Sequence, residues 1–144
     1  MSRVAINGFG RIGRIFFRQA FGNPDIEIMA INDLGSAENL AYLLKYDTVY
    51  GKLKDDITIE KSRESKKDLL GKFAINKRHK SLVFSQKDPS LLPWNDLNID
   101  VVIESTGHFT SLDKLNLHLK AGAKNVILSA PAKGGNIETY VLSV

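Results

Sequence analysis

Residues 3–13 read RVAINGFGRIG, and the fold follows from how that run is divided. Arg3-Val4-Ala5-Ile6 predicts a short buried strand of small and branched side chains. After Asn7-Gly8-Phe9-Gly10-Arg11-Ile12-Gly13, the residues Ile12, Ile15, Phe16 and Ala20 recur at helical spacing, so a helix opens inside the glycine run. G-x-G-x-x-G set between a strand and a helix is the arrangement that receives a dinucleotide pyrophosphate. Gly8 permits the tight turn, Gly10 lets the anion approach bare backbone, and Gly13 lets helix and strand pack closely. The free N–H groups and positive dipole end of the helix supply the attraction.

Ile26-Glu27-Ile28-Met29-Ala30-Ile31 predicts a second strand ending at Asn32-Asp33. Asp33 falls about 20 residues after the glycines, the place from which an acid holds the adenosine ribose hydroxyls. A plainer reading makes the glycines an ordinary helix-start turn and Asp33 the cap of the next helix. It needs several coincidences at once, and the combined strand, glycine, helix, strand and acid pattern outweighs it.

At 144 residues, with 43% hydrophobic and 25% charged residues, the chain has the composition of one globular domain with a sizeable core. No apolar run approaches the roughly 18–20 residues needed to cross a bilayer. There is no cysteine, so neither a disulfide nor a thiol nucleophile nor a cysteine-bound metal can be built from these residues. With no secretory signature at Met1-Ser2-Arg3, a cytoplasmic location is expected. His79, His108 and His118 lie in unrelated segments and none reads as a metal ligand or catalytic base. The net charge of +4 is local: residues 61–80 hold eight Lys/Arg against Glu64 and Asp68, a +6 segment in a remainder of −2. A solvated hairpin face is the favoured reading, since the aromatic interleaving of a nucleic-acid surface is missing.

Further along, Ser36 caps an expected helix carrying Leu40, Ala41, Leu43 and Leu44, which ends near Lys45-Tyr46-Asp47, with a turn at Gly51. From about 52 to 87 the pattern turns β-rich, with strands at Ile57-Thr58-Ile59, Phe73-Ala74-Ile75 and Leu82-Val83-Phe84 and the basic charges mainly in the turns. A loop through Asp88-Pro89 and Leu92-Pro93-Trp94 leads back to alternation. Asp100 to Glu104 predicts a buried strand, and Ser105-Thr106-Gly107 the turn at its end. Ser111 caps a helix with Leu112, Leu115 and Leu119 on one face, stopped by Gly122, and Asn125 to Leu128 predicts another buried strand ending at Ser129-Ala130-Pro131. The fold class is α/β: a Rossmann-type, doubly wound, mostly parallel sheet with a β-rich insertion around residues 52–87. In such sheets ligands bind at the carboxyl ends of the strands, so the turns at 7–13, 32–33, 105–107 and 129–131 are expected around one crevice. Thr106 and Ser129, taken singly, read equally well as ordinary turn residues. The run Thr139 to Val144 is strand-like and apolar, which points to a longer parent protein.

These motifs resemble, in order, the amino-terminal half of phosphorylating glyceraldehyde-3-phosphate dehydrogenase. The resemblance is carried by VAINGFGRIGR from Val4 to Arg14, Ala30 to Leu34, Leu44 to Gly51, Lys87-Asp88-Pro89, Glu104 to Thr110 and Leu128 to Pro131, and is weakest across 54–80. It implies that residues 1–144 form the NAD-binding domain, with the catalytic domain absent from the chain. It implies that the backbones of Arg11 and Ile12 meet the pyrophosphate, with Asn7 and Phe9 near the phosphate turn. Asp33, beside Asn32, would take the adenosine ribose and disfavour the 2′-phosphate of NADP, and Lys87, where the family commonly has arginine, would approach the adenine side. Ser105, Thr106, Gly107 and Ser129 would line the nicotinamide side.

The chain departs from the family pattern at Thr48, Val49 and Tyr50, and after Pro131 at Ala132 and Gly134. The family's nucleophilic cysteine, its histidine partner and its substrate-phosphate arginines match nothing here. The resemblance therefore implies a fragment that binds NAD but does not oxidise aldehyde, and whose parent enzyme is a homotetramer. The cofactor half of an erythrose-4-phosphate dehydrogenase would read similarly. A non-catalytic module using the 61–80 segment for RNA or a partner is the alternative of another class.

Overall fold

The computed structural model describes residues 1–63 and 68–142; the Glu64–Lys67 part of the basic segment and the last two residues of the apolar run lie outside them. Strands β1 (Ser2–Asn7), β2 (Ile26–Asn32), β5 (Ile57–Lys61), β6 (Leu69–Ile75), β7 (His79–Phe84), β8 (Val101–Glu104) and β9 (Asn125–Leu128) form one seven-stranded sheet in the order β5-β6-β7-β2-β1-β8-β9. β7, β2, β1, β8 and β9 run parallel, and β5 and β6 extend the sheet antiparallel. A short hairpin, β3 (Tyr46–Asp47) with β4 (Gly51–Lys52), stands apart from it. Among the described residues, three α-helices connect the strands: α1 (Arg11–Ala20), α2 (Ala37–Lys45) and α3 (Leu112–Lys120).

The expected mostly parallel, doubly wound sheet is present, with one refinement of the β-rich segment. β7 is not part of an excursion but the third parallel strand, paired with β2 through Ala30–Leu82, Ile31–Val83 and Asn32–Phe84. Only β5 and β6 are additions, and they join the same sheet edge. The basic side chains are not confined to turns either: Lys61, Lys72 and Lys80 lie on strands, and Lys80 pairs with Glu60 at 3.0 Å.

Because both faces of the sheet are covered, successive strand residues feed two cores. Val4 and Ile6 of β1 join Phe9, Phe17, Ile28, Leu40, Leu44 and Phe73 on the α1–α2 side. Ala5 joins Phe84, Leu92, Trp94, Ile99, Val102, Ala121 and Ala123 on the other. Arg18 ties the first layer together, donating from Nη2 to the Leu44 carbonyl at 2.7 Å and from Nη1 to that of Gly51 at 3.0 Å. The first of these bonds satisfies a carbonyl at the end of α2 that has no helical partner, and the second ties in the β3–β4 hairpin.

Five local expectations need correction. The buried stripe of α1 runs through Gly13, Phe17 and Ala20, while Ile12 faces solvent. Gly13 packs against the Gly8 carbonyl and the Ile6 side chain, and positions four and seven residues on share its buried face. In α3 the buried residues are Leu115 and His118, and Leu112 and Leu119 are partly exposed, because His118 has hydrogen-bond partners inside. Ser111 stands at the N-cap position of α3 but its hydroxyl makes no cap bond, whereas Ser36 does cap α2, accepting from the Asn39 N–H at 3.2 Å. β9 is an edge strand with Ile127 exposed rather than a buried one, and residues 139–142 form no strand.

Candidate functional site

Three parallel strands deliver their carboxyl ends to one place, and backbone bonds lock them there. The Gly8 N–H donates to the Asn32 carbonyl at 2.8 Å, and the Ser105 N–H to that of Asn7 at 2.8 Å. The Ser105 hydroxyl donates to the Gly8 carbonyl at 2.7 Å. Gly8 has φ +92°, a conformation that side-chain-bearing residues rarely adopt, and its missing Cβ leaves room for the turn after β8. A Cβ on Gly13 would collide with the Gly8 carbonyl oxygen, so this glycine sets how closely α1 packs on the turn.

Above this junction is a cavity of about 290 Å³. Asn7, Gly8 and Gly10 line it from the first turn, Asn32, Asp33 and Leu34 from the end of β2. Gln86 and Lys87 close one side, and Ser105, Thr106, His108 and Phe109 the other. α1 begins at its rim. Gly10, the N-cap, offers no side-chain cap, and the first turn has no acidic residue, so no side chain of the helix itself neutralises the positive end of its dipole. A Cβ built on Gly10 would meet nothing within 4 Å and would protrude into the open approach.

Asp33 is pinned rather than free to cap a helix. One carboxylate oxygen accepts the Phe9 N–H at 2.8 Å and the other the Gly35 N–H at 2.9 Å. The end of β2 is thereby tied to the glycine turn, with a carboxylate held on the cavity wall. Asn32 and Asn7 form the floor: Asn32 Nδ2 donates to Asn7 Oδ1 at 2.7 Å and to the Gln86 carbonyl at 2.9 Å, and Asn32 Oδ1 accepts the Gln86 N–H at 2.9 Å.

Beneath the floor lies a polar cluster that reading the sequence passed over. Glu104 is buried at the end of β8. It accepts from Asn7 Nδ2 at 2.6 Å, from the Thr106 N–H at 2.9 Å and hydroxyl at 2.6 Å, and contacts His118 Nε2 at 2.8 Å. Burial pushes its carboxyl upward, but the bonds from His118, Thr106 and Asn7 outweigh that and hold it below the usual carboxylate range. The signal available was Glu104 closing an otherwise apolar strand, a placement that needs buried donors.

Of the residues singled out from the sequence, Asn7, Gly8, Gly10, Asn32, Asp33, Lys87, Ser105 and Thr106 meet around the cavity. Arg11 and Ile12 lie just outside, exposed in the first turn of α1. The Phe9 ring is in the core, edge-on to Phe17 with centroids 5.7 Å apart, and only its backbone serves the turn. Gly13 is packed under the turn, and Gly107 (φ +74°) follows Thr106 without lining the cavity. Ser129 does not line it; its hydroxyl donates to the Glu104 carbonyl at 3.0 Å. The crevice is therefore built from three of the four expected turns.

A parallel sheet with an uncapped glycine-rich helix start and an acid at the end of the next strand defines a dinucleotide-binding domain. The model for the NAD-binding domain of glyceraldehyde 3-phosphate dehydrogenase matches residues 2–112, and the chain belongs to that family, which makes NAD its cofactor. It is similar to glyceraldehyde-3-phosphate dehydrogenases of Mycoplasma pneumoniae (50% identical over 142 residues), Thermotoga maritima (49% over 143) and Geobacillus stearothermophilus (45% over 142). Those alignments take in 98–99% of this chain but only 39–40% of each relative's length. Among the described residues no helix is long and apolar enough to cross a membrane, and no group of three or more His, Asp or Glu is placed to hold a metal ion.

Proposed function

We propose that this chain holds NAD across the carboxyl edge of its sheet as the cofactor half of a phosphorylating glyceraldehyde-3-phosphate dehydrogenase. The observation that carries the proposal is the pairing of an uncapped helix start with a pinned carboxylate on one cavity wall. The N–H groups of Arg11, Ile12 and Gly13 receive the pyrophosphate, and the bare Gly10 backbone lets it come close. Asp33 accepts from the adenosine ribose hydroxyls, and its charge opposes an added 2′-phosphate. Lys87 stands on the adenine side, while Asn7, Ser105 and Thr106 bound the other end, with Asn32 beneath and Gly107 and Ser129 shaping the turns behind.

The cofactor, when bound, supplies the hydride acceptor, and this domain's residues bind and orient it. The oxidative step on an aldehyde also needs a thiolate and a base, and the 144 residues contain no cysteine. The chain alone is therefore expected to bind NAD without oxidising glyceraldehyde 3-phosphate. A cytoplasmic enzyme assembled as a homotetramer is the corresponding reading for the parent; the exposed Tyr42, Tyr46, Val49 and Tyr50 give this half an apolar face suited to association. Calorimetric titration of the purified chain with NAD and NADP tests the core of the proposal. Saturable NAD binding with much weaker NADP binding is expected, and equal affinity or no binding of either would overturn it.

A further inference from the structure

We propose that Trp94, His118 and Glu104 form a buried relay that positions Asn7 and Thr106, and through them the polar floor of the cofactor cavity. The inference rests on the NAD-binding reading above. All three side chains are completely buried, and none of them lines the cavity. They act through others.

The chemistry of the contacts fixes the protons. The indole N–H of Trp94 is a donor only, and it meets His118 Nδ1 at 3.0 Å. Nδ1 must therefore be the accepting nitrogen, which leaves the proton on Nε2, and Nε2 donates to Glu104 at 2.8 Å. His118 is held as one neutral tautomer, since a proton on Nδ1 would face the indole N–H donor to donor. Glu104 is thereby saturated: one oxygen takes His118 and Asn7, the other takes the Thr106 N–H and hydroxyl. Asn7 cannot rotate without releasing both Glu104 and Asn32. The Thr106 hydroxyl hydrogen is committed to Glu104, while its oxygen accepts the His108 N–H at 3.1 Å. Thr106 therefore presents an acceptor, not a donor, toward the cavity.

Stability alone is a poor reason for such a cluster. A buried carboxylate and its partners generally do no better than well-packed apolar side chains of the same volume. This one sits directly under the ligand edge of the sheet, where fixing two cavity-lining groups has a use.

Nitrogen-15 NMR of the 144-residue chain at neutral pH reads the tautomer directly. A protonated Nε2 and an unprotonated Nδ1 are expected for His118; an Nδ1–H form or an imidazolium would overturn the relay. Titration with NAD then compares His118→Gln, whose amide N–H replaces the donor to Glu104, with His118→Leu, which removes it. The leucine variant should bind NAD about tenfold more weakly, the scale of one charge-assisted hydrogen bond, and the glutamine variant near wild type. If the wild type binds NAD and a folded His118→Leu binds equally well, the relay fails while the cofactor reading stands. If the wild type does not bind NAD, both fail. Should His118→Leu not fold, Trp94→Phe keeps the ring but removes the indole donor: mixed His118 tautomers with weakened NAD binding support the relay, and an unchanged spectrum overturns it.

Discussion

The position a Cβ would take on Gly8 lies 2.6 Å from the amide nitrogen of Thr106, so the β1–α1 turn is pressed against the turn that follows β8. The contact is with backbone, which cannot step aside as a flexible side chain would. Gly8→Ala therefore meets two penalties, that clash and a φ of +92°. The dihedral alone costs about 1–3 kcal/mol. A drop in the urea midpoint at unchanged slope is the expected outcome, and a midpoint within error of wild type would show that the two turns are not packed this way.

Gly10 makes the opposite case two residues on. Its φ of −75° suits any residue, and a Cβ there meets nothing within 4 Å. Gly10→Ala should leave the unfolding midpoint where it is and yet weaken NAD binding, because in the proposed binding mode the methyl group would stand where the pyrophosphate approaches the helix start. Unfolding and calorimetry on the same variant separate the two effects. Unchanged NAD affinity would place the phosphates elsewhere.

Asp33 joins both kinds of role. Its oxygens hold the N–H groups of Phe9 and Gly35, so Asp33→Ala leaves two backbone donors without their acceptor and should cost about 1.5–3 kcal/mol per charged hydrogen bond at most. Asp33→Asn keeps one acceptor and removes the charge. That variant should stay folded and narrow the gap between NAD and NADP affinities, mainly by gaining affinity for NADP. A preserved gap would mean that steric fit rather than charge excludes the 2′-phosphate.

How much of this was legible in the sequence divides along physical lines. Parallel strands buried on both faces announce themselves as short apolar runs, and the glycine spacing has a local mechanism, so β1, β2, β8 and the turn after β1 could be read directly. Side-chain contacts between distant segments have no such local signature. Nothing near His118 says that Trp94, 24 residues earlier, will meet its ring, or that Glu104 will sit on its other side. The face of α3 is hidden for the same reason: Leu112 and Leu119 outscore a histidine on hydrophobicity, but a histidine with two buried partners takes the inner position. β9 read as buried because edge position depends on the order of strands, which sequence does not state.

The Glu104 cluster also fixes a direction of pH dependence. Burial raises this carboxyl, but the bonds from His118, Thr106 and Asn7 lower it further, so its folded-state pKa lies below that of the unfolded chain. Between the two values the unfolded state binds the proton and the native state does not, so stability falls as pH falls. The contribution is complete above the unfolded value of about 4.5 and is lost as pH descends through the lower, native one. One proton gives a slope of at most about 1.4 kcal/mol per pH unit. Asp47, Asp88 and Asp100 are shifted the same way by their own hydrogen bonds, so the wild-type profile alone does not isolate Glu104. Glu104→Gln does: it should be the less stable chain at neutral pH, and the difference should shrink steadily below about pH 4.5. Urea midpoints of the two chains between pH 3 and 7, on the order of four pH steps, check this. A difference that stays constant across that range would mean that the Glu104 carboxyl binds its proton equally well in the folded and unfolded chains, and the four donors drawn around it would have to be reassigned.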